Sequence, residues 1–407
     1  MNRWLSIIGI GEDGYDALPP VARTLIDDAE LVVGGKRHLA MLPNGNSERL
    51  AWASPIQDAA ANITQHRGNP TCVLATGDPF CYGIGRLISN HVPIDEINVI
   101  PAPSAFTLAC ARLGWSFDEV DFITLHGRPD ALLEPAIQPN AKLLILAEGA
   151  DTPLEVARRL TERGFGDSDL TLLERMGNDE EARETAKARE WTKADSDPLH
   201  VIAVDCIAGP EADCLSRLAC LPDEAFAHDG QLTKQEVRAV SLTALAPAPG
   251  QVLWDVGAGC GSISIEWMRR DKRAHAIAIE GDKKRRALLG ENALKLGVPN
   301  LEIVAGEAPT ALKALEAPDT IFIGGGITQD GVFDACWHVL PGGGRLVANA
   351  VTLESEQALA SLQEEYGGDL TRIAISRAQP IGGKTGWKPF MPVTQWRVTK
   401  ASGKGQA

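Results

Sequence analysis

The segment Val252-Leu-Trp-Asp-Val-Gly-Ala-Gly-Cys-Gly-Ser-Ile-Ser-Ile-Glu266 constrains the chain more than any other. Its first five residues, apolar except for Asp255, read as a buried strand, and the run from Ser262 reads as a helix. Between them stands Gly257-x-Gly259-x-Gly261. Glycines let the backbone turn sharply and pass close to a ligand. The helix N-terminus beyond them offers unpaired N–H groups. In an open sheet this turn falls at the carboxyl ends of the strands, where ligands bind. The spacing differs from the Gly-x-Gly-x-x-Gly of dinucleotide folds. Glu280 ends the next strand about 20 residues on, where an acid takes both ribose hydroxyls. Gly306-Glu-Ala-Pro309 follows a third strand, at the place of an adenine pocket.

The rest of the second half repeats the strand–helix alternation. Strands are expected at Val252–Val256, Ala274–Ile279, Leu301–Val304, Thr320–Ile323, Gly344–Ala350, Thr371–Ser376 and Thr394–Val398. Seven strands with helices between the first six describe an open, doubly wound α/β sheet. The first half also alternates. Its expected strands are Ser6–Ile10, Leu31–Val33, Thr71–Ala75, Ile97–Pro101, Asp121–Leu125, Lys142–Ala147, Asp169–Glu174 and His200–Asp205. Helices are expected around 20–29, 56–66, 83–88, 104–113 and 152–163. A chain of 407 residues fits two domains of ordinary size. Gly209, Pro210 and Pro222 mark a linker, so the expected division is 1–208, a linker over 209–221, and 222–400. Residues from Lys400 to Ala407 read as a disordered tail.

Charge is uneven. Residues 1–220 hold 19 Lys+Arg against 33 Asp+Glu, and residues 221–407 hold 20 against 21. Neither half is basic, which argues against nucleic acid as a partner. No cysteine pair has Cys-x-x-Cys spacing, which argues against a zinc site and a disulfide scaffold. The eight cysteines read as small buried apolar residues. No apolar run approaches a membrane span. The short apolar run at the N-terminus is not a signal peptide. A cytoplasmic protein with no metal is expected.

In the first half, Gly9-Ile-Gly-Glu-Asp-Gly14 formally fits a dinucleotide loop, but the helix is expected only at Pro20, because Pro suits a first turn. That reading is therefore rejected. Leu74-Ala-Thr-Gly-Asp-Pro-Phe-Cys-Tyr-Gly-Ile-Gly85 places Asp78 in a turn just after a strand, and Ile100-Pro-Ala-Pro-Ser-Ala105 places Ser104 at a helix N-cap. Thr124-Leu-His-Gly-Arg128 ends another strand. Together with Gly9–Gly14 these resemble the tetrapyrrole methylase family over about residues 3–206. The resemblance implies two α/β lobes holding S-adenosylmethionine in a cleft, with a tetrapyrrole in an adjoining trough. By position Gly9, Thr76, Gly77, Asp78, Ser104 and Ala105 are the candidates for that cleft, although Asp78 also suits a plain turn cap. His126 and Arg128 are candidate substrate contacts or simply a polar strand end. The family's usual Gly-x-Gly-Pro-Gly is replaced by Glu12-Asp13-Gly14, as in its carbon-5 branch.

The second half resembles Rossmann-like S-adenosylmethionine methyltransferases. Leu232-Thr-Lys-Gln-Glu-Val-Arg238, Ile321-Phe-Ile-Gly-Gly-Gly326 and Pro341–Glu354 narrow the likeness. Over about residues 225–400 it is to the cobalamin-pathway methyltransferases that act at carbon 15 of a precorrin and decarboxylate its carbon-12 acetate. That likeness implies a donor site lined by Thr233, Gly257, Ala258, Gly259, Cys260, Gly261, Glu280 and Ala308. Glu307 stands where the family more often has Asp. Arg238, Arg345 and Lys384 are the candidate cations for the substrate's carboxylates, or else ordinary surface charges. Catalytic groups that move a proton are not identified by the sequence. The pairing of both domains implies methylation of precorrin-6Y at carbons 5 and 15 with decarboxylation of the carbon-12 acetate, giving precorrin-8 for cobalamin. One S-adenosylmethionine per domain and a homo-oligomer are further implications. The alternatives are a cobalt-containing precorrin as substrate, or one half serving only as a scaffold.

Overall fold

The computed structural model describes residues 3–218 and 220–402. Two compact units divide the chain, Met1–Arg128 with Pro139–Cys214, and Pro129–Gln138 with Leu215–Ala407.

The first unit holds two five-stranded sheets. Strands β1 Leu5–Ile10, β2 Leu31–Gly34, β3 Glu48–Ala51, β4 Thr71–Thr76 and β5 Ile97–Ile100 form the first, in the order β3-β2-β4-β1-β5 and all parallel. β1 and β2 are wholly buried runs, as expected for a parallel sheet covered on both faces. The second sheet takes β6 Val120–Thr124, β7 Lys142–Leu146, β8 Asp169–Glu174, β9 Ala182–Lys187 and β10 His200–Asp205, in the order β6-β7-β10-β8-β9. The one parallel pairing of neighbours there is β6 with β7. β3 and β9 escape a search for hydrophobic alternation because both are exposed edge strands, β3 of only four residues and β9 of mostly polar sequence.

In the second unit the strands are β11 Val252–Val256, β12 His275–Glu280, β13 Glu302–Ala305, β14 Thr320–Ile323, β15 Arg345–Ala350, β16 Asp369–Ile373, β17 Ser376–Ile381, β18 Lys384–Pro389 and β19 Val393–Thr399. Seven of them form one sheet, β13-β12-β11-β14-β15-β19-β16. The first five are parallel, and β19 is antiparallel to β15 and β16. The order reverses beside β11, which makes the carboxyl end of β11 the switch point where an open α/β sheet leaves a crevice. Trp254, Trp267 and Trp396 are buried to within 1% in its two faces' cores.

Two expectations change. Between the strands expected at Thr371–Ser376 and Thr394–Val398, where the sequence predicts no further strand, a hairpin around Gly382-Gly383 joins β17 to β18. Both glycines have positive φ, 49° and 80°, the conformation a two-residue hairpin turn needs. Residues 209–221 are not a free linker. Gly209 and Asp213 bond to the Gly164 and Arg163 carbonyls in the first unit, whereas Leu215 and Leu221 are buried in the second. Pro129–Gln138 also belongs to the second unit, where Leu133 and Ile137 are fully buried and Gln138 Nε2 donates to the Leu215 carbonyl at 2.7 Å. Of the expected tail, residues 403–407 lie outside the described residues. Lys400 is held, with Nζ donating to the Leu340 carbonyl at 2.8 Å. Among the described residues no helix is long and apolar enough to cross a membrane, and no cluster of three His, Cys, Asp or Glu could hold a metal ion. Five of the cysteines are buried and Cys214 is exposed.

Candidate active site

At the carboxyl end of β11 lies a cavity of 860 Å³. Its polar end is built by the glycine turn. The N–H groups of Gly257 and Ala258 donate to the Ile279 carbonyl at 3.0 and 3.1 Å, which folds the turn over the end of β12. Glu280, 7% exposed, then accepts from Gly259 N at 2.8 Å through Oε2 and from Asp282 N at 2.8 Å through Oε1. Each of its oxygens keeps a second lone pair for a ligand. Asn292 braces the turn from below, with Nδ2 donating to the Cys260 carbonyl at 3.0 Å.

The three glycines do different work. All have positive φ, at 72°, 59° and 84°. A Cβ on Gly257 would lie 3.0 Å from Gly325 N, and one on Gly261 would lie 2.8 Å from Leu289 Cγ. A Cβ on Gly259 would meet nothing within 4 Å. The protein thus leaves Gly259 an open face, while Gly261 is a packing glycine that does not line the cavity. The other residues expected here, Thr233, Gly257, Ala258, Cys260, Glu280 and Ala308, all do. Glu307 lines it as well, packed over Gly281.

Under the turn, Asp255 is 1% exposed and accepts from Ser264 N at 3.0 Å. Burial pushes its carboxyl up to about 6, with the negative charge of Glu280 adding to the effect and the Ser264 hydrogen bonds opposing it. The far end of the cavity is apolar, with Val351, Ile373, Ile375, Phe390, Met391 and Val393. Asn349 enters this end, its amide tied to Ser241 Oγ at 2.9 Å and to Gln395 at 2.9 Å. Sequence reasoning missed Asp255, Asn292 and Asn349. For Asp255 and Asn349 the available signal was a polar residue standing within an otherwise apolar run.

The expected cations are elsewhere. Arg238 is completely buried. Its Nε donates to Glu266 at 2.5 Å, Nη1 donates to the Thr233 carbonyl at 2.6 Å and faces Asp223 at 3.3 Å, and Nη2 donates to the Leu221 carbonyl. All three guanidinium nitrogens are engaged and the side chain is buried, so it is a structural hub and not a substrate contact. Arg345 caps a helix, donating to the Leu245 and Ala246 carbonyls at 2.7 Å each. Lys384 is exposed in the β17–β18 hairpin and does not line the cavity.

In the first unit the candidate residues gather where β1 and β4 end. Gly77 N donates to the Ile10 carbonyl at 3.1 Å, and Ala102 N donates to Gly77 O at 3.2 Å. A Cβ on Gly9 would fall 1.9 Å from Gly77 O, so close backbone crossing alone demands glycine there. Asp78 Oδ1 accepts from Phe80 N at 2.8 Å, the turn cap weighed above. Ser104 Oγ accepts from Thr107 N at 3.1 Å and caps the helix that starts at Ala105. Thr76 Oγ1 meets His38 Nε2 at 3.0 Å, and burial with the neighbouring Arg37 lowers His38 to about 4. The unexpected Glu12 pairs with Arg37 and approaches Asn178 Nδ2 at 3.4 Å, a bridge from β1 to the second lobe. His126 and Arg128 are exposed; His126 stands 3.7 Å from Glu148 and Arg128 lies over the Tyr82 ring at 5.7 Å. A cavity of 310 Å³ in this unit, lined by Trp52, Pro55 and His66 among others, includes none of the candidates.

Residues 5–192 match the tetrapyrrole (corrin/porphyrin) methylases, and residues 224–400 match the precorrin methyltransferase domain. A Sinorhizobium protein named precorrin-6Y C(5,15)-methyltransferase [decarboxylating] is 46% identical over 98% of this chain and 97% of its own. A cobalt-precorrin-7 C(5)-methyltransferase of Salmonella typhimurium is 32% identical over 44% of this chain and 87% of its own. A Saccharolobus solfataricus protein named "Probable cobalt-precorrin-6B C(15)-methyltransferase (decarboxylating)" is 33% identical over 39% of this chain and 83% of its own. With near-complete coverage at that identity on both sides, the chain belongs to the family of decarboxylating precorrin-6Y C(5,15)-methyltransferases.

Proposed function

We propose that this chain methylates precorrin-6Y at carbons 5 and 15 and releases its carbon-12 acetate carboxyl as carbon dioxide, giving precorrin-8. The first unit acts at carbon 5 and the second at carbon 15, each with its own donor site. The observation that carries the reading is the second unit's cavity. It joins the Glu280-braced glycine turn to an apolar chamber at the switch point of the sheet.

S-adenosylmethionine, when bound, supplies an activated methyl group on sulfonium. The residues present fit it, because Gly259 leaves an uncovered backbone face and Glu280 keeps acceptor lone pairs for ribose hydroxyls. The protein's contribution is then positioning, worth up to about 7–11 kcal/mol in ideal cases. Ile373, Ile375 and Val393 form an apolar wall that leaves the departing carboxylate weakly solvated while water still reaches the open side of the chamber. On loss of carbon dioxide the C–C bond breaks, its electron pair passes into the conjugated ring, and a proton from water completes the new methyl group.

The test is mass spectrometry of purified precorrin-6Y incubated with the protein and S-adenosylmethionine. Two methyl groups gained and one carbon dioxide lost is the expected product. A singly methylated product that keeps its carboxylate removes the second unit from the reaction.

A further inference from the structure

We propose that Lys234 holds one of the substrate's retained carboxylates during carbon-15 methylation. The inference rests on the function proposed above. A precorrin carries many acetate and propionate arms, so a chamber that admits it needs a cation. The cavity offers two, Arg285 and Lys234. Arg285 is engaged by Asp229, Nε to Oδ2 at 2.9 Å. Nearby Arg377 lies over Phe390 at 5.1 Å but is bound by Glu236 at 2.6 Å and Asp223 at 3.0 Å. Lys234 has no ion pair among the described residues, and its Nζ stands 6.0 Å from the Phe390 ring centroid. The acids of the cavity, Asp255, Glu280, Asp282 and Glu307, are all at the glycine-turn end. An unpaired ammonium over an aromatic face, beside an apolar wall, is a carboxylate anchor awaiting its anion.

The chemistry also decides which carboxylate it holds. An ion pair stabilises a carboxylate most before carbon dioxide leaves, when its charge is full, so pairing Lys234 with the departing group would raise the barrier. Lys234 therefore binds an arm that stays, and the departing carboxylate lies against the apolar wall.

The test uses the full chain with precorrin-6Y and S-adenosylmethionine, reading both methylations in the same reaction. Lys234→Met, which keeps the stem and loses the charge, should raise KM for carbon-15 methylation roughly ten- to hundredfold. Lys234→Arg should restore it to within a few fold. Carbon-5 methylation, KM for S-adenosylmethionine and the ratio of carbon dioxide released to carbon-15 methyl gained should not move. An unchanged carbon-15 KM in Lys234→Met overturns the proposal, as does a variant that methylates carbon 15 without decarboxylating. A wild-type chain that leaves carbon 15 unmethylated overturns the parent reading instead, before any variant is compared.

Discussion

Glu280 Oε2 accepts the backbone N–H of Gly259 at 2.8 Å. Through its other oxygen the same carboxylate holds Asp282 N at the start of the next helix. One side chain thus ties the end of β12 to the turn after β11 and shapes the donor end of the cavity. Glu280→Gln puts an amide N–H where an N–H must be accepted. Affinity for S-adenosylmethionine at this site should fall about 10- to 100-fold. Carbon-15 methylation should stop at limiting donor while carbon-5 methylation continues. Loss of both together would mean that one donor site serves the whole chain.

Gly259→Ala and Gly261→Ala should separate binding from folding. At Gly259 the protein leaves room, so the cost to stability is only the positive φ, roughly 1–2 kcal/mol. The new methyl group projects where a ligand would lie, and carbon-15 activity should vanish. At Gly261 the methyl group runs into Leu289, and the loss should show first in thermal melting. Equal melting losses for the two would contradict this division.

Asp255 makes stability depend on pH in an unusual direction. Its folded-state value near 6 lies above an ordinary unfolded value near 4, so the folded protein binds the extra proton between those limits. Its contribution is fully present below about pH 4 and is lost as pH rises through 6, with a ceiling of roughly 3 kcal/mol. Asp255→Asn should flatten that slope. Urea unfolding of both proteins from pH 4.5 to 7.5 measures the difference, and parallel curves would refute the assignment.

Arg238→Ala should unfold the second unit's core without any specific effect on substrate affinity. It removes the cation that pairs with Glu266, 4% exposed, and leaves Asp223, 6% exposed, with Arg377 as its remaining ion-pair partner among the described residues. Breaking a buried pair in this way costs about 3–5 kcal/mol. A stable variant with only a raised KM would return Arg238 to the substrate site.

A cut after Cys214 should serve the second unit better than one at residue 222. A fragment from Leu215 keeps Leu215 and Leu221, each worth about 1.5–3 kcal/mol when buried. It also keeps the carbonyls that Arg269 and Arg238 bond. Denaturant midpoints of fragments 215–407 and 222–407 compare the two directly.

The parallel strands were legible because burial on both faces writes a near-continuous apolar run, as in Leu31–Val33 or Val252–Val256 with its single Asp255. Ser104 and Gly259 were legible because caps and left-handed turns restrict residue type. What escaped was whatever depends on partners distant in sequence. Arg238 reads as a surface cation until Glu266 and Asp223 close on it. Lys234 was in plain view within Leu232–Arg238, but nothing local shows that its neighbours leave it unpaired. Arg345 capping a helix 100 residues earlier has no local signature.

Pro129–Gln138 carries an implication for synthesis. The ribosome delivers these ten residues, with Leu133 and Ile137, before any strand of the unit they belong to exists. At ordinary elongation rates the wait is on the order of tens of seconds. Throughout it the nascent chain trails a sticky apolar tag, and translation speed and chaperone supply should govern yield more than the stability of the finished protein does.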